Sequence, residues 1–248
     1  MDLADKVVII TGAGSGIGRA ACDVFAGAGA HVLAVDRDEG PAEAAATAVG
    51  GTAVVGDVAE PTLWDEVLAA TAGIGQLGVV YLNAGVYGHT GPIDQLPLDV
   101  YRRTIDANIG GVVLGTRACV PALRDAGGGS IVVTASVAGI VAFELNPLYT
   151  LTKQAVTGFV RAVAPSLNAD RISIDAVCPG IVDTPMTAEA LQGAPARGLG
   201  QDLIDPAEIA RTALALATTE GTGRCRAVRG AGEPVDWQFP TWRDLARG

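Results

Sequence analysis

The chain has 248 residues, 49% of them hydrophobic and 18% charged, a balance that can bury a large core and excludes disorder for the bulk of it. Acids outnumber bases 27 to 17, for a formal charge of −10, so counterion release cannot favour binding to a nucleic acid. The 33 glycines follow no period of three, which excludes a collagen-like chain.

Val7-Val8-Ile9-Ile10 is a β-branched run of the kind found in strands covered on both faces. After a glycine-rich turn, Ile17 to Ala28 reads as a helix and His31 to Val35 as a second buried strand ending at Asp36. An alanine-rich helix over Pro41 to Val49 and a short strand over Ala53 to Val55 follow, the latter ending at Gly56-Asp57. Pro61 to Ala72 has proline in the first turn of a helix, and Val79 to Leu82 reads as the fourth strand. A long helical stretch from Leu98 to Ala126, with a break expected near Gly110-Gly111, leads to a strand over Ile131 to Thr134. Pro147 to Leu167 is a helix and Ile172 to Val177 the sixth strand. This alternation without a linker predicts one α/β domain over residues 1–248: a doubly wound parallel sheet of Rossmann type in three layers.

No apolar run reaches the roughly 18 residues of a membrane span. Met1 to Lys6 carries two aspartates, wrong for a secretory signal. A cytoplasmic protein with no membrane or nucleic-acid partner is expected. Cys22, Cys119, Cys178 and Cys225 form no Cys-x-x-Cys pair, so no metal site or disulfide framework is expected, only buried thiols.

Thr11-Gly12-Ala13-Gly14-Ser15-Gly16-Ile17-Gly18 lies between a strand and a helix. Glycines there let the backbone turn sharply and approach a phosphate at a helix N-terminus. Asp36 ends the next strand, where a carboxylate can bind the ribose hydroxyls of NAD and repel the extra phosphate of NADP. Tyr149 and Lys153 stand four apart, on one face of a helix.

The spacing Gly-x-x-x-Gly-x-Gly, followed in order by Asp57-Val58, Asn83-Ala84-Gly85, Asn108, Ser136, Tyr149-x-x-x-Lys153 and Pro179-Gly180, resembles the single-domain short-chain dehydrogenase/reductase family. The resemblance spans Val7 to about Thr184. It implies that Gly12, Ser15, Gly16, Ile17, Gly18, Asp36, Arg37, Asp57, Val58, Asn83, Ala84, Gly85, Tyr149, Lys153, Pro179, Gly180, Ile181 and Thr184 bind the cofactor. NAD is expected over NADP: Arg37 could tolerate a 2′-phosphate, but Ser15 stands where NADP-using relatives often carry a basic residue. In the remaining roles implied, Tyr149 is the acid/base and Ser136 holds the substrate oxygen. Lys153 tunes the phenol and holds the nicotinamide ribose, while Asn108 holds a water leading to solvent. Lowering a tyrosine pKa from about 10 to about 7 requires roughly 4 kcal/mol of phenolate stabilisation, expected from Lys153 and the oxidised nicotinamide.

The activity so implied interconverts a secondary alcohol and a ketone on a mostly apolar, uncharged small molecule. Its pocket is expected from Val86, Ser136, Ala138, Phe143, Tyr149 and Met186, with Tyr87, Ile140, Val141, Leu145 and Leu191 adding apolar wall and residues 181–204 a mobile loop. His89 and Glu144 are expected in solvent. The alternatives are a catalytically silent NAD-binding sensor or scaffold, and an epimerase or dehydratase relative. A silent protein would be expected to lose Tyr149 or Lys153. An epimerase usually adds a substrate domain, for which the 64 residues after Thr184 leave no room.

Two C-terminal features stand apart. Arg224 to Gly230 replaces the family's usual last strand sequence, which leaves that strand in doubt. Residues 231–248 form a tail carrying Trp237, Phe239 and Trp242, read either as a seal on its own subunit or as a contact with a neighbour. The family resemblance implies a homotetramer or homodimer through Val112 to Ala122 and Thr152 to Val163, with Val112, Val113, Leu114, Val120, Ala155, Val156, Phe159 and Val160 available.

Overall fold

The apolar runs pair side by side because each needs cover on both faces. In a computed structural model, which describes residues 1–191, 203–230 and 232–245, they form β1 (Lys6–Thr11), β2 (His31–Asp36), β3 (Thr52–Val55) and β4 (Gln76–Leu82). The later strands are β5 (Gly129–Thr134), β6 (Ile172–Pro179), β7 (Cys225–Val228) and β8 (Val235–Asp236). Their order is β3-β2-β1-β4-β5-β6-β7-β8, parallel throughout except for the antiparallel β7–β8 pair. The order reverses direction between β1 and β4, and that switch point opens a crevice at the carboxyl ends of the strands.

Helices cover both faces. On one side α1 (Gly16–Gly27), α2 (Glu39–Val49) and α8 (Pro206–Thr218) bury Cys22, Phe25, Ala45, Ile209 and Leu216 against Val8, Ile10 and Tyr81. On the other, α3 (Pro61–Ile74), α5 (Gly111–Asp125) and α6 (Pro147–Leu167) bury Trp64, Val67, Leu123 and Val160 against Ile9, Val80 and Ile131. All four cysteines are buried and unbridged, as expected. Among the described residues no helix is long and apolar enough to cross a membrane.

The expected break in the long helix takes a specific form. After α4 (Leu98–Ile105) the chain makes a π-helical turn over Asp106–Gly110 before continuing as α5. Packing fixes the axis of α5: a Cβ on Gly111 would come 2.7 Å from Val58 Cγ2, and one on Gly115 would come 2.4 Å from the Trp64 ring. The π-turn therefore carries Asn108 toward the sheet while glycines keep α5 close to it.

The strand left in doubt does form. Arg224 secures it: its main-chain N–H and guanidinium donate to the carboxylate of Asp175, which is fully buried, and its guanidinium also donates to the carbonyls of Leu216 and Glu220. β8 is tied on by the Arg226–Asp236 ion pair at 2.7 Å. In the tail, Phe239 packs on the core under the Arg161 guanidinium, 4.0 Å from its ring centroid, while Trp242 stays exposed. Among the residues offered for subunit contact, Val112, Val156 and Val160 are instead buried in the chain's own core, because those helix positions face the sheet. Val113 and Ala155 are exposed.

Arg224→Ala would strand the Asp175 carboxylate. It should lower unfolding free energy by about 3–5 kcal/mol, read from urea denaturation. A loss below about 1 kcal/mol would show that the pair does not anchor β7.

Candidate active site

The crevice begins with unmet backbone groups. Where β1 and β4 part, buried Thr11 accepts the N–H groups of Asn83 (2.9 Å) and Ala84 (3.1 Å) on its Oγ1. Asn83 returns the contact, donating from Nδ2 to the Thr11 carbonyl at 3.0 Å. Its Oδ1 accepts from Thr134 Oγ1 (2.9 Å), which is also hydrogen-bonded to the buried Tyr81 hydroxyl (2.8 Å). A polar seam thus joins the ends of β1, β4 and β5 and shapes the cleft floor.

The glycine turn lies beside this seam. Gly12 (φ +65°) and Gly16 (φ +49°) adopt the left-handed region that favours glycine. A Cβ on Gly18 would come 1.9 Å from the Gly12 carbonyl oxygen, so this glycine lets α1 close on the turn and does not itself line the cleft. Asp36 is fixed between the main-chain N–H groups of Gly14 (2.8 Å) and Asp38 (3.1 Å). Arg37 is exposed, its Nε 3.7 Å from the Asp38 carboxylate.

The cleft has a volume of about 540 Å³. Its walls include Gly12, Ser15, Gly16, Ile17, Asp36, Arg37, Asp57, Val58, Asn83, Ala84 and Gly85, together with Val86, Ser136, Tyr149, Lys153, Pro179, Gly180, Thr184 and Met186. Its form fits an extended dinucleotide: tight glycines at a helix N-terminus, a fixed carboxylate after β2 and a buried cation beyond. The described residues contain no group of three or more potential metal-ligating His, Cys, Asp or Glu side chains.

Tyr149 and Lys153 rise from the first turns of α6, whose N-cap Asn146 accepts the Tyr149 N–H at 2.9 Å. Lys153 is buried, donates from Nζ to the Thr134 carbonyl at 2.8 Å, and sits 5.5 Å from the Tyr149 ring centroid. Ser136 ends the stretch after β5, its Oγ accepting the Ala138 N–H at 3.1 Å. Burial pushes the Tyr149 phenol up to about 12, against the opposing hydrogen bond of Ser136. Burial also pushes the Lys153 ammonium down to about 8. Without a cofactor the phenol therefore stands above its ordinary value, because burial outweighs the Ser136 hydrogen bond.

Several expected placements change. Asn108 is buried and its amide is spent on protein: Oδ1 accepts the Val86 N–H (2.7 Å), while Nδ2 donates to the Val86 carbonyl (2.9 Å) and Thr152 Oγ1 (3.1 Å). Its side chain holds the chain after β4. Ala138 is buried in a 3₁₀ turn and Phe143 is held at its backbone by Thr150, so neither lines the cleft. Ile181 gives way to Val182 in the lining, and its carbonyl accepts from Ile204 instead. Val141 and Leu145 are exposed. His89 is half-buried, with Nε2 enclosed and without a hydrogen-bond partner, while Glu144 is exposed as expected. Of the expected mobile loop, residues 192–202 lie outside the described residues; α7 (Pro185–Leu191) and a Val182–Ile204 bridge are described. Thr11, Thr134 and Asn146 were missed, although a polar residue ending a buried strand or preceding Pro at a helix start is a readable signal.

A family model described as short chain dehydrogenase matches residues 6–194. The chain is 35% identical to trans-4-hydroxycyclohexanecarboxylate dehydrogenase of Sinomonas cyclohexanicum, over 89% of this chain and 88% of that protein. It is 36% identical to cyclohexanol dehydrogenase of Acinetobacter sp. (strain SE19), over 75% and 76%. Among solved structures, 3-ketoacyl-(acyl-carrier-protein) reductase from Brucella melitensis complexed with NADH superposes with a TM-score of 0.84 at 27% identity, covering 92% of this chain and 98% of that one.

The buried lysine has a pH signature. Between pH 8 and its ordinary 10.5, the unfolded chain retains a Lys153 proton that the folded chain has released, so this group makes stability rise with pH there. Denaturation of wild type and Lys153→Met across that window should show wild type gaining on the variant. A constant difference would contradict the buried, destabilised ammonium.

Proposed function

The chain belongs to the short-chain dehydrogenase/reductase family of oxidoreductases, and from that premise we propose that it is an NAD-dependent enzyme interconverting a cyclic secondary alcohol and its ketone. The carrying observation is that one cleft holds the Asp36 carboxylate at one end and Ser136, Tyr149 and Lys153 at the other. The cyclic substrate is inferred from two dehydrogenase relatives whose names specify a cyclohexane ring. Val86 and Met186 in the lining support an apolar, uncharged substrate.

The bound oxidised cofactor would supply the hydride acceptor and a positive charge. Ser136 would donate its hydroxyl proton to the substrate oxygen and orient it. Tyr149 Oη would take the alcohol proton in oxidation and return it in reduction. Lys153, already at about 8 and so close to neutral pH, would stabilise the phenolate with its ammonium and also hold the nicotinamide ribose. Asn108 positions Val86 through its side-chain amide and would hold the water leading from Lys153 to solvent. Gly12, Ser15, Gly16 and Ile17 would receive the pyrophosphate side, Asp57 and Val58 the adenine, and Pro179, Gly180 and Thr184 the nicotinamide side.

NAD is favoured because the Asp36 carboxylate is immobilised facing the cleft, whereas Arg37 is exposed and near an acid of its own. We further propose a cytoplasmic homotetramer or homodimer, with exposed Val113 and Ala155 on its contact helices.

A panel of cyclic and open-chain secondary alcohols, offered with NAD and with NADP, tests this reading. Tyr149→Phe should abolish turnover while NADH affinity stays within a few-fold. Substantial residual turnover would remove Tyr149 from its role, and turnover of no alcohol would favour the silent binding protein. In wild type, kcat/KM with NAD should exceed that with NADP by at least about tenfold, or ~1.4 kcal/mol. Equal or better use of NADP would show that Arg37 outweighs Asp36.

A further inference from the structure

Both main-chain ends of Tyr149 are tied to the two-residue stretch Val86-Tyr87 beyond β4. The Tyr149 N–H donates to Asn146 Oδ1 (2.9 Å), and Asn146 Nδ2 donates to the Tyr87 carbonyl (2.7 Å). The Tyr149 carbonyl accepts from Thr152 Oγ1 (2.8 Å), which accepts from Asn108 Nδ2 (3.1 Å), and the same Asn108 amide grips both main-chain groups of Val86. Asn146 and Thr152 are fully buried, so these bonds are shielded from competing water. The side chains meet as well: the Tyr87 and Tyr149 rings lie 5.3 Å apart between centroids, tilted by 44°. Directly afterwards Gly88 turns the chain at φ +87°, where a Cβ would come 3.2 Å from Thr104 Oγ1.

Capping alone does not explain residue 146. A serine or aspartate would accept the Tyr149 N–H equally well, but only an amide of this length both accepts there and donates to Tyr87. We propose that Tyr87 is a specificity-determining residue of the substrate pocket, the flat face against which an alicyclic ring packs, and that Asn146 is the positioning residue that keeps this face in register with the Tyr149 phenol. The proposal rests on the alcohol dehydrogenase reading above. A rigid ring packs on an aromatic face without freezing rotors, whereas an open chain of equal carbon count loses conformational freedom to make the same contact. Tyr87 is not itself a wall of the cleft, but its ring packs on that of Tyr149, which is, and it is half-buried, so part of its surface remains uncovered beside the cleft for such a contact.

The test compares kcat/KM for cyclohexanol and 2-hexanol in wild type, Tyr87→Phe, Tyr87→Leu and Asn146→Ser, with NADH affinity and thermal midpoint measured alongside. Wild type should prefer the ring. Tyr87→Phe should keep the ratio, and Tyr87→Leu should lower it about tenfold, chiefly through KM for cyclohexanol. Asn146→Ser keeps the cap but cannot reach Tyr87, and should lower the ratio in the same direction with NADH affinity unchanged. Binding of cyclohexanone to the NADH complex of Tyr149→Phe should weaken when Tyr87→Leu is added, a readout independent of turnover. An unaltered ratio in active Tyr87→Leu and Asn146→Ser would overturn this proposal alone, as would a Tyr87→Phe loss equal to that of Tyr87→Leu. A wild type that binds NADH yet oxidises neither alcohol would overturn the dehydrogenase reading and this proposal with it.

Discussion

Where β1 and β4 diverge, two backbone N–H groups run out of strand partners, and the Thr11 hydroxyl accepts both of them. The rest of the site hangs from that hydrogen bonding. Asn83 is held there by its main chain and answers with its side chain, Thr134 joins from β5, and the Thr134 carbonyl in turn receives the Lys153 ammonium. A buried backbone donor left unmet costs about 1–3 kcal/mol, so the seam is a condition of closing the sheet at its switch point. The same closure brings the glycine turn, Ser136 just after β5 and the start of α6 to one cleft. Fold and site are one arrangement of polar groups.

Within that arrangement, burial works against both charged forms that the proposed chemistry would use. Tyr149 is pushed up to about 12 and Lys153 down to about 8, each because low-dielectric surroundings disfavour the ion. A phenolate beside an ammonium is accordingly not a resting property of the protein side chains. Positive charge entering the cleft with the oxidised cofactor would lower the phenol and so couple acid–base competence to cofactor binding. The hydrogen bonds of the Tyr149 N–H to Asn146 and of its carbonyl to Thr152 would keep the hydroxyl in place as its protonation changed in the proposed reaction.

Much of this was readable along the chain. The β-branched runs, the glycine turn, Asp36 and the Tyr149-Lys153 spacing depend on local period and on backbone conformations only glycine favours, and these survive without knowledge of neighbours. Side-chain destinations did not. Asn108 was expected at a water, yet the π-turn aims its amide at Val86. Ala138 and Phe143 were placed in the pocket by their position after β5, but a 3₁₀ turn and the Thr150 hydroxyl hold that stretch elsewhere. The seventh strand looked doubtful because Arg224 to Gly230 departs from the family's usual sequence there, and only the fold reveals that Arg224 meets a buried aspartate. The Asn108–Val86 and Arg224–Asp175 pairings join residues 22 and 49 positions apart, and no local pattern encodes them.

The central claim, that Tyr149 is the acid–base group and gains its acidity from charge brought by the cofactor, is open to direct measurement. Ultraviolet difference titration of tyrosinate in the complete protein, with and without saturating NAD, reads the phenol itself. The account predicts that one phenol per chain moves toward neutral pH only when NAD is present, and that this signal vanishes in Tyr149→Phe. A titration unchanged by NAD, or a signal that persists in Tyr149→Phe, would contradict it.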